Sequence, residues 1–285
     1  MSETQNSSTQ SASPEPRARI LVFANQKGGV GKTTTTINLG TALAAVGEQV
    51  LIIDLDPQGN ATTGLGIEKG TCEHSTYDVL SEASSINESI VETRVPRMHI
   101  VPSSMDLLGA ELELATIDRR AHKLHDAIEH HFDETENALP DTRKYTYILI
   151  DCPPSLNLLT INAMTAADAV LVPMQCEFFA LEGLGQLLTT VERIKTTLNP
   201  RLKIHGVVLT MFDQRNSLSN QVAQDVRDYL GDQVYETVIP RNVRVSEAPS
   251  YGKPALLYDH NCAGSRAYIR LASEVIKRER KMQAA

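Results

Sequence analysis

An apolar run, Ile20-Leu21-Val22-Phe23-Ala24, is followed almost at once by Lys27-Gly28-Gly29-Val30-Gly31-Lys32-Thr33-Thr34. That order constrains the chain more than any other feature, because it reads as a buried strand, a glycine-rich loop and the start of a helix. Glycines let a backbone bend so that its N–H groups converge on phosphate oxygens. The helix that follows adds the positive end of its dipole. Gly29, Gly31, Lys32, Thr33 and Thr34 are therefore expected to cradle phosphates. Lys32 would reach the β- and γ-phosphates, and the Thr33 hydroxyl would bind Mg²⁺ directly. The usual phosphate loop reads G-x-x-x-x-G-K-[ST]; here its first glycine position is Gln26 and the next holds a second lysine, Lys27.

Short apolar runs alternate with longer amphipathic stretches from Arg19 onward. Strands are expected at Ile20–Ala24, Val50–Asp54, His99–Val101, Tyr147–Asp151, Ala169–Pro173, His205–Thr210 and Val234–Ile239. Their near-continuous Val, Ile and Leu content suits strands buried on both faces. Helices are expected at Lys32–Val46, with Gly47 as its stop, and at Leu107–His131, Leu181–Leu198, Ser219–Leu230 and Ser265–Arg280. This alternation predicts an α/β fold, a mostly parallel twisted sheet with helices on both faces. Ligands bind such sheets at the carboxyl ends of the strands. Lys32, Asp54, Asp56 and Asp151 all fall at or just after those ends, so they can converge. Residues 1–18 are rich in Ser, Thr, Gln and Pro and read as a disordered tail. Residues 19–285 read as one P-loop domain.

At 41% hydrophobic and 22% charged, the composition is that of a soluble globular protein. No apolar run approaches the ~20 residues of a membrane span. Four widely spaced cysteines form no C-x-x-C, which points to a reducing cytoplasm. His122, His125, His130 and His131 cluster, but the charged residues among them favour a solvated helix face over a metal site. The net charge of −8 is uneven: residues 201–285 hold 13 Lys and Arg against 9 Asp and Glu. Nucleic acid needs only a local basic patch. Arg215, Arg227, Arg241, Arg244 and Lys253 are candidates for contacts to DNA phosphates, each with the alternative of a solvated surface charge. No base-reading motif is apparent, so any DNA binding should be sequence-independent and salt-sensitive.

Four segments together resemble the ParA/MinD superfamily of P-loop ATPases, in its ParA/Soj chromosome-partition (or plasmid-partition) branch. They are Lys27–Thr34, Val50-Leu51-Ile52-Ile53-Asp54-Leu55-Asp56-Pro57-Gln58-Gly59-Asn60-Ala61, Tyr147–Ser155, and Ile239–Ser250. The resemblance implies ATP as substrate, Asp54 and Asp151 holding Mg²⁺ through water, and Asp56 on the attacking water. It implies Pro240 and Asn242 near the adenine, where a plain strand-to-loop turn is the alternative. It also implies that Lys27 crosses a two-fold interface to the partner's ATP, with Gly28 against that partner; a contact from Lys27 to its own phosphates remains the alternative. The function so implied is DNA segregation by an ATP-sandwiched homodimer. It binds double-stranded DNA nonspecifically, is released through a ParB-like partner, and is cytoplasmic and nucleoid-associated. A MinD-like membrane-cycling ATPase would need an amphipathic C-terminal anchor; Ile269, Ala272 and Ile276 offer a helical stripe, but the ending Lys277–Ala285 does not continue an apolar face. A metabolic P-loop ligase would need a small-substrate pocket.

Overall fold

The computed structural model describes residues 17–137 and 144–283. Seven strands form one sheet: β1 (Arg19–Phe23), β2 (Val50–Asp54), β3 (Val91–Glu92), β4 (Met98–Val101), β5 (Tyr147–Asp151), β6 (Ala169–Gln175) and β7 (Lys203–Thr210). Their order across the sheet is β3-β4-β2-β5-β1-β6-β7, and every pairing is parallel except that of the short edge strand β3 with β4. The helices are α1 (Lys32–Ala45), α2 (Asn60–Gly64), α3 (Thr76–Leu80), α4 (Ile86–Ser89), α5 (Leu107–Leu114), α6 (Lys123–Asn137), α7 (Leu158–Ala166), α8 (Ala180–Thr197), α9 (Ser217–Leu230), α10 (Val243–Glu247), α11 (Ala255–Tyr258) and α12 (Ala263–Gln283).

Alternation along the strands divides the core in two. Ile20, Val22, Ile53 and Ile150 pack beneath α6, α7 and α8, whereas Leu21, Phe23, Ile52 and Leu149 pack beneath α1 and α12. Both faces of the central strands are thus dry, which is why those strands read as unbroken apolar runs. Helix α1 ends at Gly47, whose φ of +106° and N–H bond to the Ala44 carbonyl turn the chain into β2.

Three expectations need correcting. Val234–Ile239 is not a strand. Tyr235 and Ile239 each donate one backbone bond to β7, but the N–H groups of Glu236 and Thr237 turn away to the Glu274 carboxylate of α12, at 2.9 and 3.0 Å. Only isolated bridges remain. The single helix expected over Leu107–His131 is two, α5 and α6. Between them Arg119 adopts a left-handed φ of +56° that no helix can carry. The tail expected over residues 1–18 stops before Arg17: Ala18 is buried and Arg17 stacks on the Phe132 ring at 4.2 Å. The rest of the expected tail lies outside the described residues.

Candidate nucleotide-binding site

The carboxyl ends of β1, β2, β5, β6 and β7 surround the loop before α1. Gly31, with φ of +89°, turns that loop into the helix, and Thr210 at the end of β7 secures it by donating to the Val30 carbonyl at 2.7 Å. Asn25 ties the loop to β6 through the Pro173 carbonyl, at 2.8 Å, and accepts the Lys27 N–H at 3.0 Å. Lys32 is buried beneath it. Its Nζ donates to the carbonyls of Asn25 and Lys27, at 3.0 and 3.1 Å. Burial lowers the Lys32 pKa, against the pull of the Asp151 charge.

Above this floor lies a cavity of about 520 Å³. Gly28, Gly29, Gly31, Lys32, Thr33, Thr34 and Asp56 line one side of it, and Pro240, Arg241, Asn242 and Lys253 line the other. These sequence-predicted residues are therefore brought together from distant parts of the chain. Asn242 also caps α10, its Oδ1 accepting the N–H groups of Arg244 and Val245. Val30 is buried and contributes its backbone rather than a lining side chain.

Asp54 and Asp151 sit side by side under the cavity, paired in register on β2 and β5 and wholly buried. They differ in their partners. Asp54 accepts the Thr62 hydroxyl at 2.7 Å, the Thr62 N–H at 2.9 Å and the Asp56 N–H at 3.2 Å. Burial outweighs those bonds and pushes its carboxyl up to about 6. Asp151 accepts Thr36 Oγ1, at 3.2 Å, on one oxygen, and its Oδ2 has no hydrogen-bonding partner. Burial, then the neighbouring Asp54 charge, raises Asp151 well above the usual carboxylate range, while Thr33 and Lys32 act in the other direction. An orphaned buried carboxylate oxygen below a threonine-lined cavity suits a hydrated cation. Among the described residues no group of three or more His, Cys, Asp or Glu side chains could hold a metal ion. A Mg²⁺ here would take its remaining oxygens from phosphates and water, as its octahedral preference allows.

Lys27 stands apart. Its side chain is half exposed and ion-paired with Glu177, in the turn between β6 and α8, and it does not line its own cavity. Phe178 and Phe179, which follow Glu177, are 75% and 68% exposed. The other basic candidates are dispersed. Arg215 pairs with Asp213 at 2.8 Å, and Arg244 lies 3.1 Å from Glu247 and 3.8 Å from Asp259. Arg227 is half-buried in α9.

Sequence reasoning passed over several site residues. Thr36 and Thr62 hold the two buried carboxylates; Thr36 lies one helical turn after Lys32, a spacing that would have flagged it. Ser103 bonds both the Asp56 carbonyl, at 2.6 Å, and Thr62 Oγ1, at 3.0 Å. Tyr268 of α12 lines the cavity and lies 3.4 Å from the Thr35 hydroxyl. Neither Ser103 nor Tyr268 carries a local signal.

The AAA domain family matches residues 18–204. The chain is 62% identical over 266 residues to the chromosome partitioning protein ParA of Caulobacter vibrioides, covering 93% of this chain and 97% of that protein. It is 51% identical over 257 residues to the sporulation initiation inhibitor protein Soj of Bacillus subtilis, covering 90% and 98%. Among solved structures, cobyrinic acid a,c-diamide synthase of Mycobacterium smegmatis with bound ADP and magnesium superposes with a TM-score of 0.78 at 34% identity, covering 92% of this chain and 96% of that one. The cell division ATPase MinD of Pyrococcus furiosus does so at 0.73 and 27%, covering 91% and 99%. The diamide synthase and MinD show how widely the fold is shared, so the assignment rests on the much higher identity to the partition proteins. With its phosphate loop, its paired buried carboxylates and that identity along nearly its whole length, the chain belongs to the ParA/Soj family of chromosome-partitioning P-loop ATPases.

Proposed function

We propose that the cavity binds Mg-ATP, that two copies of the chain close on each other across their nucleotides, and that the closed dimer binds double-stranded DNA without sequence preference. A ParB-like centromere-binding partner then stimulates hydrolysis and frees the dimer. Such a cycle operates in the cytoplasm on the nucleoid. The placement of the two lysines carries this reading: Lys32 is buried at the cavity floor, whereas Lys27, on the same loop, does not line its own cavity and pairs instead with Glu177, just before the exposed Phe178 and Phe179. A cation so placed can serve a second molecule's phosphates.

Hydrolysis needs positioning and charge neutralisation rather than covalent catalysis. Water attacks the γ-phosphorus, the bond to the β–γ bridging oxygen breaks, and ADP and phosphate leave. Asp56 lines the cavity where it can orient that water. Thr33 and the free oxygen of Asp151 would hold Mg²⁺ and one of its waters, and the ion supplies charge neutralisation on the phosphates. Lys27 from the other copy would stabilise charge on the transferring group, as an arginine finger does.

Binding to random-sequence duplex DNA, measured with ATP, with ADP and without nucleotide, tests the reading, with anionic vesicles as the competing surface. ATP-dependent, salt-sensitive DNA binding that Asp56→Ala prolongs supports it. Absence of DNA binding by an ATP-bound dimer would overturn it. Gly28→Val separates association from folding, because a Cβ at Gly28 would meet only Pro154 Cβ, at 3.8 Å. That variant should bind ATP and remain monomeric by sedimentation.

A further inference from the structure

We propose that the exposed face of α12 is a DNA-phosphate contact surface, formed by Arg266, Arg270, Lys277, Arg280 and Lys281; this rests on the DNA-binding reading above. Helix α12 carries six basic and two acidic residues in a chain whose net charge is −8. At 100° per residue the five named cations fall within an arc of about 100°, and they run for ~22 Å along the axis. All five are exposed, and none forms an ion pair with a described residue. Glu279 lies on the opposite side of the helix, and Glu274 borders the row but is already engaged. Glu279 is buried against His205 and Arg19, and Glu274 is bonded to Arg278 and to the N–H groups of Glu236 and Thr237.

This differs from the arginines found by sequence. Arg215 and Arg244 already have carboxylate partners, so a phosphate must compete for them. The α12 cations face water with no internal competitor. The two sets are continuous at one end, because the first turn of α12 packs against α10, which carries Arg244; a Cβ on Gly264 would lie 2.3 Å from Val245. The opposite face of α12 covers α1, and Tyr268 lines the nucleotide cavity. The cation row is therefore built on the same packed unit as the phosphate loop.

Nucleic acid fits this face better than lipid. Ile269, at 39% exposure, only borders the row, so nothing within it provides the apolar wedge that holds an interfacial helix in a membrane. A regular row of cations on a rigid helix suits a polyanion with fixed charge spacing.

The test uses the full chain with Arg266→Ala, Arg270→Ala and Lys277→Ala combined, and a second form with the same arginines changed to Lys and Lys277 retained. Binding to a random-sequence duplex is followed by anisotropy against salt, with ATP and Mg²⁺ present. Fluorescent-ATP affinity and thermal midpoint serve as controls. The alanine form is expected to lose about 30-fold in affinity near 0.1–0.2 M salt, and to lower the log–log salt slope by about 2.7 per engaged helix. The lysine form should bind as wild type. Wild-type binding with an unchanged slope in the alanine form would overturn the assignment to α12 and leave the DNA reading standing. No DNA binding by the wild-type ATP-bound dimer would sink both. Wild-type binding to phosphatidylglycerol vesicles that the alanine form loses, with duplex binding intact, would assign this face to membrane and overturn the proposal.

Discussion

The floor of the nucleotide cavity and its rim treat the same residue type in opposite ways. At the floor, Lys32 is buried and bonded to two loop carbonyls, above two buried carboxylates. At the rim, Lys27 is half exposed and held by one ion pair to Glu177, which two uncovered phenylalanines follow in the chain. The floor is held in place by bonds within the chain itself. The rim keeps its cation outside the chain's own cavity, so its chemistry depends on what is brought against it. On the proposed reading, two lysines five positions apart separate holding a nucleotide from acting on one.

Three changes would break or sharpen that contrast. The largest effect is expected from Lys27→Ala. Turnover with saturating partner and DNA should fall by about 10³, the scale of a lost arginine finger, while ATP affinity of the monomer changes less than about threefold. Loss of monomer affinity instead would mean that Lys27 serves its own phosphates, and the contrast would collapse. Thr62→Val comes next. It keeps the shape of a buried side chain but strips Asp54 of its shortest bond, so stability should fall by about 2 kcal/mol in a denaturant titration. A neutral result would show that the floor is less fixed than its hydrogen bonds indicate. Glu177→Gln should have the smallest effect, because an exposed ion pair contributes at most about 1 kcal/mol. Its denaturation midpoint should stay near wild type, and a large shift would make the rim structural.

Most of the floor was legible in the sequence, because its parts are local. The loop follows β1 directly, and Asp54 and Asp151 end strands whose apolar runs are unbroken on both faces. The rest depended on side chains arriving from far along the chain. Val234–Ile239 has strand composition, yet Glu274, nearly forty positions later, claims two of its N–H groups. The one helix expected over Leu107–His131 is divided, and the connection contains Arg119 in a left-handed conformation that composition does not reveal. Arg215 looked free until Asp213, two residues away, proved to hold it, whereas the cations of α12 lie in a row that only the helix face makes visible.

Asp54 grips the chain twice, through the Asp56 N–H on one side of the Pro57–Gly59 turn and through Thr62 on the other. The short stretch between is closed like a hoop pinned at both ends, and such a stretch has little configurational freedom left to lose. If Asp56 serves the attacking water as proposed, it moves towards a terminal phosphate by tilting about a fixed fulcrum, not by searching through coil. Its response to the nucleotide should be quick and small in amplitude, which leaves the slow part of the cycle to the meeting of whole molecules.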